Sequence, residues 1–102
     1  MSFLRASDID NYKDELLLYT ILCFGPHRAA DSPKIIAAIF EVNEEKLQRK
    51  TEANFIFKAV RLEEAGFIEV KREWHNHWMQ VYYLTPYGET RLKEAIKSAE
   101  AD

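Results

Sequence analysis

The chain has 102 residues, of which 47% are hydrophobic and 30% are charged, and its formal net charge is -3. This composition excludes a disordered chain, and we predict that residues 1–102 form a single domain. The one cysteine excludes an internal disulfide, and no apolar run approaches the roughly 20 residues of a membrane span. We therefore expect a cytoplasmic protein without membrane contact.

The first third of the chain predicts two helices. Apolar residues recur at helical spacing from residue 8 to residue 24, and Gly25-Pro26 ends that helix. Cys23 lies within this apolar pattern, so we expect its side chain to be buried. Ser32-Pro33 then begins a short second helix, because a hydroxyl can cap a helix whose first position is proline.

A third helical region follows over residues 44–65, and Gly66 is typical of the position just after a helix. The apolar spacing directs Phe55, Ala59 and Leu62 toward the core. The pattern leaves open whether this region is one helix or two helices with a bend near Lys50.

The pattern then changes from helical to extended. Residues 67–74 and 78–84 are rich in β-forming side chains and are separated by only three residues, which predicts a β-hairpin. Trp74 and Trp78 flank the loop and should face each other across the strands. This pair either stabilises the hairpin or forms an aromatic tip for a partner or ligand. Thr85-Pro86 begins a last helix over residues 86–99.

Two stretches resemble the winged helix-turn-helix regulators of the MarR and PadR kinds. Leu62-Glu63-Glu64-Ala65-Gly66-Phe67-Ile68 is similar to the end of a recognition helix turning into the first wing strand. Tyr82-Tyr83-Leu84-Thr85-Pro86-Tyr87-Gly88 is similar to the second wing strand entering a C-terminal helix. The resemblance covers about residues 30–97 and implies a mostly α, α+β winged helix, with helix 8–24 as an N-terminal extension.

Regulators of these kinds are mostly dimeric transcription factors, so the resemblance implies a homodimer that binds double-stranded DNA. Base edges would be read by polar side chains of the third helical region, namely Asn54, Lys58 and Arg61. The DNA backbone would be contacted at the helix start and on the wing by Arg49, Lys50, Lys71, Arg72, His75 and His77.

The distribution of charge qualifies this expectation. Residues 46–80 carry seven basic and five acidic side chains, whereas residues 1–45 carry four and eight, and residues 81–102 carry three and four. An acidic chain is a poor non-specific binder of nucleic acid, since phosphate contacts supply most of that affinity. The middle segment is therefore the one place where the sequence favours contact with phosphate.

Apolar side chains on the outer arc of the third helical region point to an alternative function. Three of them in one arc suit a protein contact or an enlarged core better than base readout. The alternative is a winged-helix module that binds another protein instead of DNA. Its interface would consist of Ile56, Phe57, Val60, Trp74 and Trp78.

The terminal helices carry more apolar residues than a three-helix core needs, which favours a homodimer. These residues are Leu16, Leu17, Ile21, Leu92 and Ile96.

No catalytic motif is recognisable. The chain has three glycines in all and neither a phosphate-binding loop nor a nucleophile elbow, so we expect no enzyme and no cofactor. His75 and His77 lie one residue apart and would point to opposite faces of a strand without a third ligand nearby. We therefore predict no metal site.

Overall fold

A computed structural model describes residues 4–101, except for the side chains of residues 48, 49 and 101. Within this range the chain forms five α-helices and one antiparallel hairpin, which confirms the α+β fold expected of a winged helix. The elements are α1 (Ala6–Asn11), α2 (Asp14–Phe24), α3 (Ser32–Phe40), α4 (Gln48–Glu64), β1 (Ile68–Trp74), β2 (Trp78–Leu84) and α5 (Pro86–Ala101). None of the helices in the described range is long and apolar enough to cross a membrane.

The prediction of one helix over residues 8–24 is wrong, because α1 and α2 are separate helices. Tyr12 ends α1 with φ 44 and ψ 65, in the left-handed region, and Lys13 is extended. A left-handed residue other than glycine costs roughly 1–2 kcal/mol. The turn places the Tyr12 ring against Phe55 with 3% of the residue exposed, and this burial offsets the cost. The apolar spacing continues through both helices and therefore does not reveal the break.

One stripe of α4 is buried in the core. Thr51, Phe55, Ala59 and Leu62 recur at helical spacing and are each at most 3% exposed. The inward positions predicted for Phe55, Ala59 and Leu62 are confirmed, and Thr51 joins them. A 3₁₀ turn over Glu44–Lys46 precedes α4, which then runs uninterrupted. The third helical region is thus one α-helix after a short turn, and there is no second α-helix beginning near Lys50.

Phe55 lies at the centre of an aromatic cluster that joins α4 to the rest of the fold. Its ring centroid is 6.5 Å from that of Tyr12, 5.3 Å from that of His27 and 5.0 Å from that of Tyr82. The backbone N–H of Tyr82 also donates to the His27 carbonyl, which fixes β2 against the α2–α3 loop. The hairpin is therefore held against both α4 and the preceding loop.

The hairpin has the predicted register, from Ile68 opposite Leu84 to Trp74 opposite Trp78. Asn76 adopts φ 68 at its tip, a conformation that asparagine tolerates well. Strand side chains alternate between two faces. The inner face carries Ile68, Val70, Arg72, Trp74, Trp78, Gln80, Tyr82 and Leu84, and the outer face carries Glu69, Lys71, Glu73, Met79, Val81 and Tyr83. The inner face is the one that meets α4, because Val70 and Tyr82 line a groove with that helix.

A compact joint links the end of α4, the start of the hairpin and α5. Gly66 has φ +83, as a sharp reversal requires, and its carbonyl accepts a hydrogen bond from the Thr85 hydroxyl. The same hydroxyl accepts from the Gly88 N–H and so caps α5, as predicted. A Cβ at Gly88 would lie 2.0 Å from the Phe67 carbonyl oxygen. This close approach explains why the Tyr87-Gly88 part of the motif requires glycine.

Two local predictions are wrong. Cys23 is exposed, because it lies on the side of α2 that faces away from the core. Ser32 does not cap α3, since its buried hydroxyl donates to the Ala29 carbonyl and Asp31 precedes the helix instead. In both places the helix itself was predicted, and the packing of distant segments determines where the side chain points.

The apolar surplus on the terminal helices is used inside one chain. Leu16, Leu17, Ile21 and Leu92 are at most 3% exposed, and Ile96 packs partly buried against the same core. These residues are not available for a dimer interface, so the argument that they favour a homodimer fails. Dimerisation itself stays a prediction.

Candidate nucleic-acid interface

The outer stripe of α4 lies opposite its buried stripe. Because a helix turns about 100° per residue, this outer stripe consists of Ala53, Phe57, Val60 and Glu64. Phe57 is 65% exposed and Val60 is 54% exposed. Arg61 is exposed next to the stripe, with its guanidinium carbon 5.1 Å from the centroid of the Phe57 ring. The centre of the predicted reading surface is thus apolar, with one arginine along its edge.

The other two predicted base readers lie on a flank of α4. The Lys58 Nζ is 2.9 Å from Oδ1 of Asp14 at the start of α2, and the Lys58 side chain is 21% exposed. Asn54 lies one turn earlier on the same flank and is partly buried. Of the three predicted base readers, Arg61 alone is exposed.

Asp14 is the centre of a small ion cluster. Its second carboxylate oxygen is 3.3 Å from Nη1 of Arg91 on α5. Partial burial by itself would raise the pKa of Asp14, but hydrogen bonds and charges from Lys58 and Arg91 hold that pKa below its ordinary value. Asp14 is therefore ionised at neutral pH, and it pairs with Lys58, which was predicted to contact DNA.

The two wing cations point in opposite directions. Arg72 lies on the inner face, with its guanidinium carbon 5.4 Å from the centroid of the Trp78 ring. Lys71 lies on the outer face, with its Nζ 5.0 Å from the centroid of the Tyr83 ring. Arg72 therefore shares a surface with α4, and Lys71 does not.

The acidic groups of the wing are gathered on its outer face. Glu73 accepts hydrogen bonds from the Tyr83 hydroxyl and from His75, whose Nε2 is 2.9 Å from Oε1, and these contacts lower the pKa of Glu73. His77 is exposed at the tip. Among residues 4–101, as far as their side chains are described, no three His, Cys, Asp or Glu groups meet that could hold a metal ion.

Two residues near the start of α4 were predicted to contact the DNA backbone, and the structure describes the side chain of one of them. Lys50 is exposed, so it is accessible to a phosphate. Arg49 was predicted to act beside it, but its side chain lies outside the described part of the structure.

A groove of about 310 Å³ separates α4 from the inner face of the hairpin. Its lining comes from both elements: Ile56, Ala59, Val60 and Glu63 on α4, and Val70, Arg72, Gln80 and Tyr82 on the hairpin. The next pair along the inner face is Trp74 and Trp78, which are 62% and 55% exposed. Exposed apolar side chains therefore occur on α4 and at the hairpin tip, and Arg72 and Gln80 of the groove lie between them.

The two tryptophans form the predicted cross-strand pair. Their ring centroids are 5.5 Å apart and their planes meet at 71°, an edge-to-face arrangement that stabilises aromatic pairs. All five residues of the alternative protein interface are exposed, three on α4 and two at the hairpin tip: Ile56, Phe57, Val60, Trp74 and Trp78.

A solved structure of a transcriptional regulator from Clostridium thermocellum matches this fold with a TM-score of 0.72. The match covers 96% of this chain and 89% of that one, at 20% sequence identity, so it shows that the two chains share a fold over nearly their whole length. No family model and no curated protein matches the sequence. The resemblance to MarR and PadR regulators therefore stays a prediction.

Proposed function

We propose that the protein is a cytoplasmic transcriptional regulator that binds double-stranded DNA through α4 and the inner face of its hairpin. The observation that supports this best is the placement of Arg61 and Arg72, which are exposed and each lie over an aromatic ring at cation–π distance. Contact with a ring restrains an arginine side chain, and its N–H groups can still bind a phosphate or a guanine. The fold shared with a transcriptional regulator supports the same role.

The position of each basic residue determines which part of the DNA it would contact. Arg61, on the exposed side of α4, would read a base in the major groove. Lys50 and Arg72 would contact phosphates on either side of it. Lys58 would first have to leave Asp14, and Lys71 would meet DNA only where the duplex also covers the outer face.

A homodimer is part of this proposal. The resemblance to dimeric regulators implies it, and a two-fold dimer would place two copies of α4 on half-sites about 34 Å apart. The bound sequence should then be a palindrome whose half-sites are separated by one helical turn or a multiple of it.

Selection from random duplex DNA, followed by titration at several salt concentrations, tests the proposal. Arg61→Ala should lower specific affinity by about 1–3 kcal/mol, because one base contact is lost. Arg72→Gln should weaken binding to all sequences alike and reduce the salt slope by about 0.9, because one phosphate contact is lost. Lys97→Gln, which removes an exposed cation from α5, is the matched control and should change neither. Failure to enrich any DNA at low salt would overturn the proposal.

Binding to another protein is the second candidate function, and the exposure of Phe57 favours it. At 65% this aromatic residue is more exposed than either tryptophan, and it lies one helical turn from Val60, which lines the groove. A protein interface centred there should lose most of its affinity in Phe57→Ala, since buried aromatic anchors dominate interfaces. Capture of a protein from the native host by the wild type but not by Phe57→Ala, while Arg61→Ala still captures it, would favour this function over DNA binding.

A further inference from the structure

We propose that the hairpin tip is a stacking site for nucleobases that are unpaired or partly unstacked. The site, called here the tryptophan tip, consists of Trp74, Trp78 and Arg72. This inference rests on the proposed DNA binding and adds a second mode of contact to it, through base faces instead of base edges.

The exposure of the two indoles is the first argument. Trp74 and Trp78 are 62% and 55% exposed, although each makes its cross-strand contact with the other. The edge-to-face pair and the Arg72 guanidinium over Trp78 cover only part of the two rings, so aromatic surface remains exposed for a ligand. Every nucleobase presents a flat π-face that can stack on such a surface, whatever its sequence.

The charge around the tip is the second argument, because it favours a flat ligand that carries a negative charge. Arg72 lies over the Trp78 ring and is the one charged residue among the eight of the inner face. Glu69 and Glu73 both lie on the outer face, and Glu73 is further engaged by Tyr83 and His75. Glu63 of α4 lines the same groove as Arg72. A flat ring joined to a phosphate can stack on an exposed indole and place its phosphate beside the Arg72 guanidinium.

The position of the tip relative to α4 is the third argument. Trp74 and Trp78 form the last pair of the hairpin, one step beyond Arg72 and Gln80 at the groove. Two strand residues span roughly 7 Å, so the tip lies just beyond the end of the groove. With α4 on the duplex, the tip would meet DNA at a neighbouring site, where apolar side chains can insert at opened base steps.

The two tryptophans are the only ones in the chain, so intrinsic fluorescence reports on the tip alone. The experiment uses two duplexes of one sequence, fully paired or with a two-base mismatch bubble, and measures anisotropy and tryptophan fluorescence together. We expect fluorescence quenching and about 5- to 150-fold tighter binding of the bubble, the factor that corresponds to 1–3 kcal/mol per stacked base.

Single substitutions separate stacking from folding. Trp74→Leu and Trp78→Leu keep an apolar residue in the cross-strand pair but remove the stacking surface, so the preference for the bubble should fall toward one. Affinity for the paired duplex should change much less, and circular dichroism checks that the fold is kept. Phe24→Leu, which alters an exposed aromatic residue on α2, is the matched control and should keep the preference.

The possible outcomes distinguish this inference from the proposed function. Equal binding of both duplexes without quenching would overturn the tryptophan tip and leave DNA binding intact. A bubble preference that survives in both tryptophan variants would also overturn it. Binding to neither duplex at low salt would overturn both proposals.

Discussion

Replacing Asp14 with asparagine should turn Lys58 from an internal ion-pair partner into a DNA contact. Asp14 now holds the Lys58 Nζ at 2.9 Å and Nη1 of Arg91 at 3.3 Å, and its lowered pKa keeps it ionised at neutral pH. Asparagine has nearly the same size and retains one acceptor but has no charge. Lys58 lies on the flank of α4 next to the surface that we assign to DNA, so its released ammonium should reach a phosphate.

The expected magnitude follows from the loss of one internal charge. One additional phosphate contact steepens the dependence of log affinity on log salt by about 0.9, so lowering the salt fourfold should yield about 3.5-fold more affinity than in the wild type. The cost in stability should be about 1 kcal/mol or less, because the Lys58 and Asp14 side chains are 21% and 32% exposed and are screened by solvent.

Anisotropy titrations of a labelled duplex at four or more salt concentrations measure the slope. Asp10→Asn makes the same change in charge at an exposed position of α1 and is the matched control. Lys58→Gln in the Asp14→Asn background should abolish the gain. Equal gains in the two aspartate variants, or an unchanged slope in Asp14→Asn, would refute this reasoning.

Three further predictions concern stability and assembly. Gly88→Ala should lower the free energy of unfolding by about 3 kcal/mol or more in urea titrations, because its Cβ would meet the Phe67 carbonyl oxygen at 2.0 Å. Gly25→Ala, which strains φ 77 and ψ -177 in open space, should cost about 1–3 kcal/mol, and a loss equal to or larger than that of Gly88→Ala would contradict the steric argument. Burial lowers the pKa of His27, and the opposing effects of the Gly25 carbonyl and Asp31 are weaker. As pH falls, His27 is therefore protonated in the unfolded chain before it is protonated in the folded chain. Stability should therefore be unaffected by His27 above about pH 6.5 and should fall as pH drops from there toward the lower folded pKa. A His27→Phe variant with the same pH dependence as the wild type would contradict this. A homodimer with a dissociation constant below about 1 μM should sediment at twice the chain mass of 12.0 kDa, and a monomer at about 20 μM would exclude it.

The parts of the fold that the sequence predicts well depend on short-range periodicity. The inward positions Phe55, Ala59 and Leu62 follow from helical spacing, and the hairpin register follows from β-forming runs separated by a short loop. The joint at Gly66 could be predicted because a sharp reversal after a helix favours glycine. Each of these features is determined by residues that are close in the chain.

The features that the sequence did not reveal depend on contacts between distant segments. The Asp14 carboxylate and Lys58 are 44 positions apart, and nothing in either segment marks them as partners. The break at Tyr12 is stabilised by the distant ring of Phe55, so local propensity could not predict it. The placement of Lys71 and Arg72 on opposite faces could have been predicted from the sequence, because adjacent residues of a strand point to opposite faces.

The residues assigned to the two candidate functions contact each other, so a double-mutant cycle can distinguish the functions. Arg61 lies over Phe57, so the aromatic residue assigned to a protein interface is also the platform for the arginine assigned to DNA. If Phe57 serves DNA binding by restraining Arg61, then Phe57→Ala should weaken binding only while Arg61 is present. A double-mutant cycle should then give a coupling energy of about 0.5–1 kcal/mol, the usual strength of an exposed cation–π contact. Additive losses in DNA affinity would mean that Phe57 acts independently of Arg61, and the cation–π contact would no longer support DNA binding.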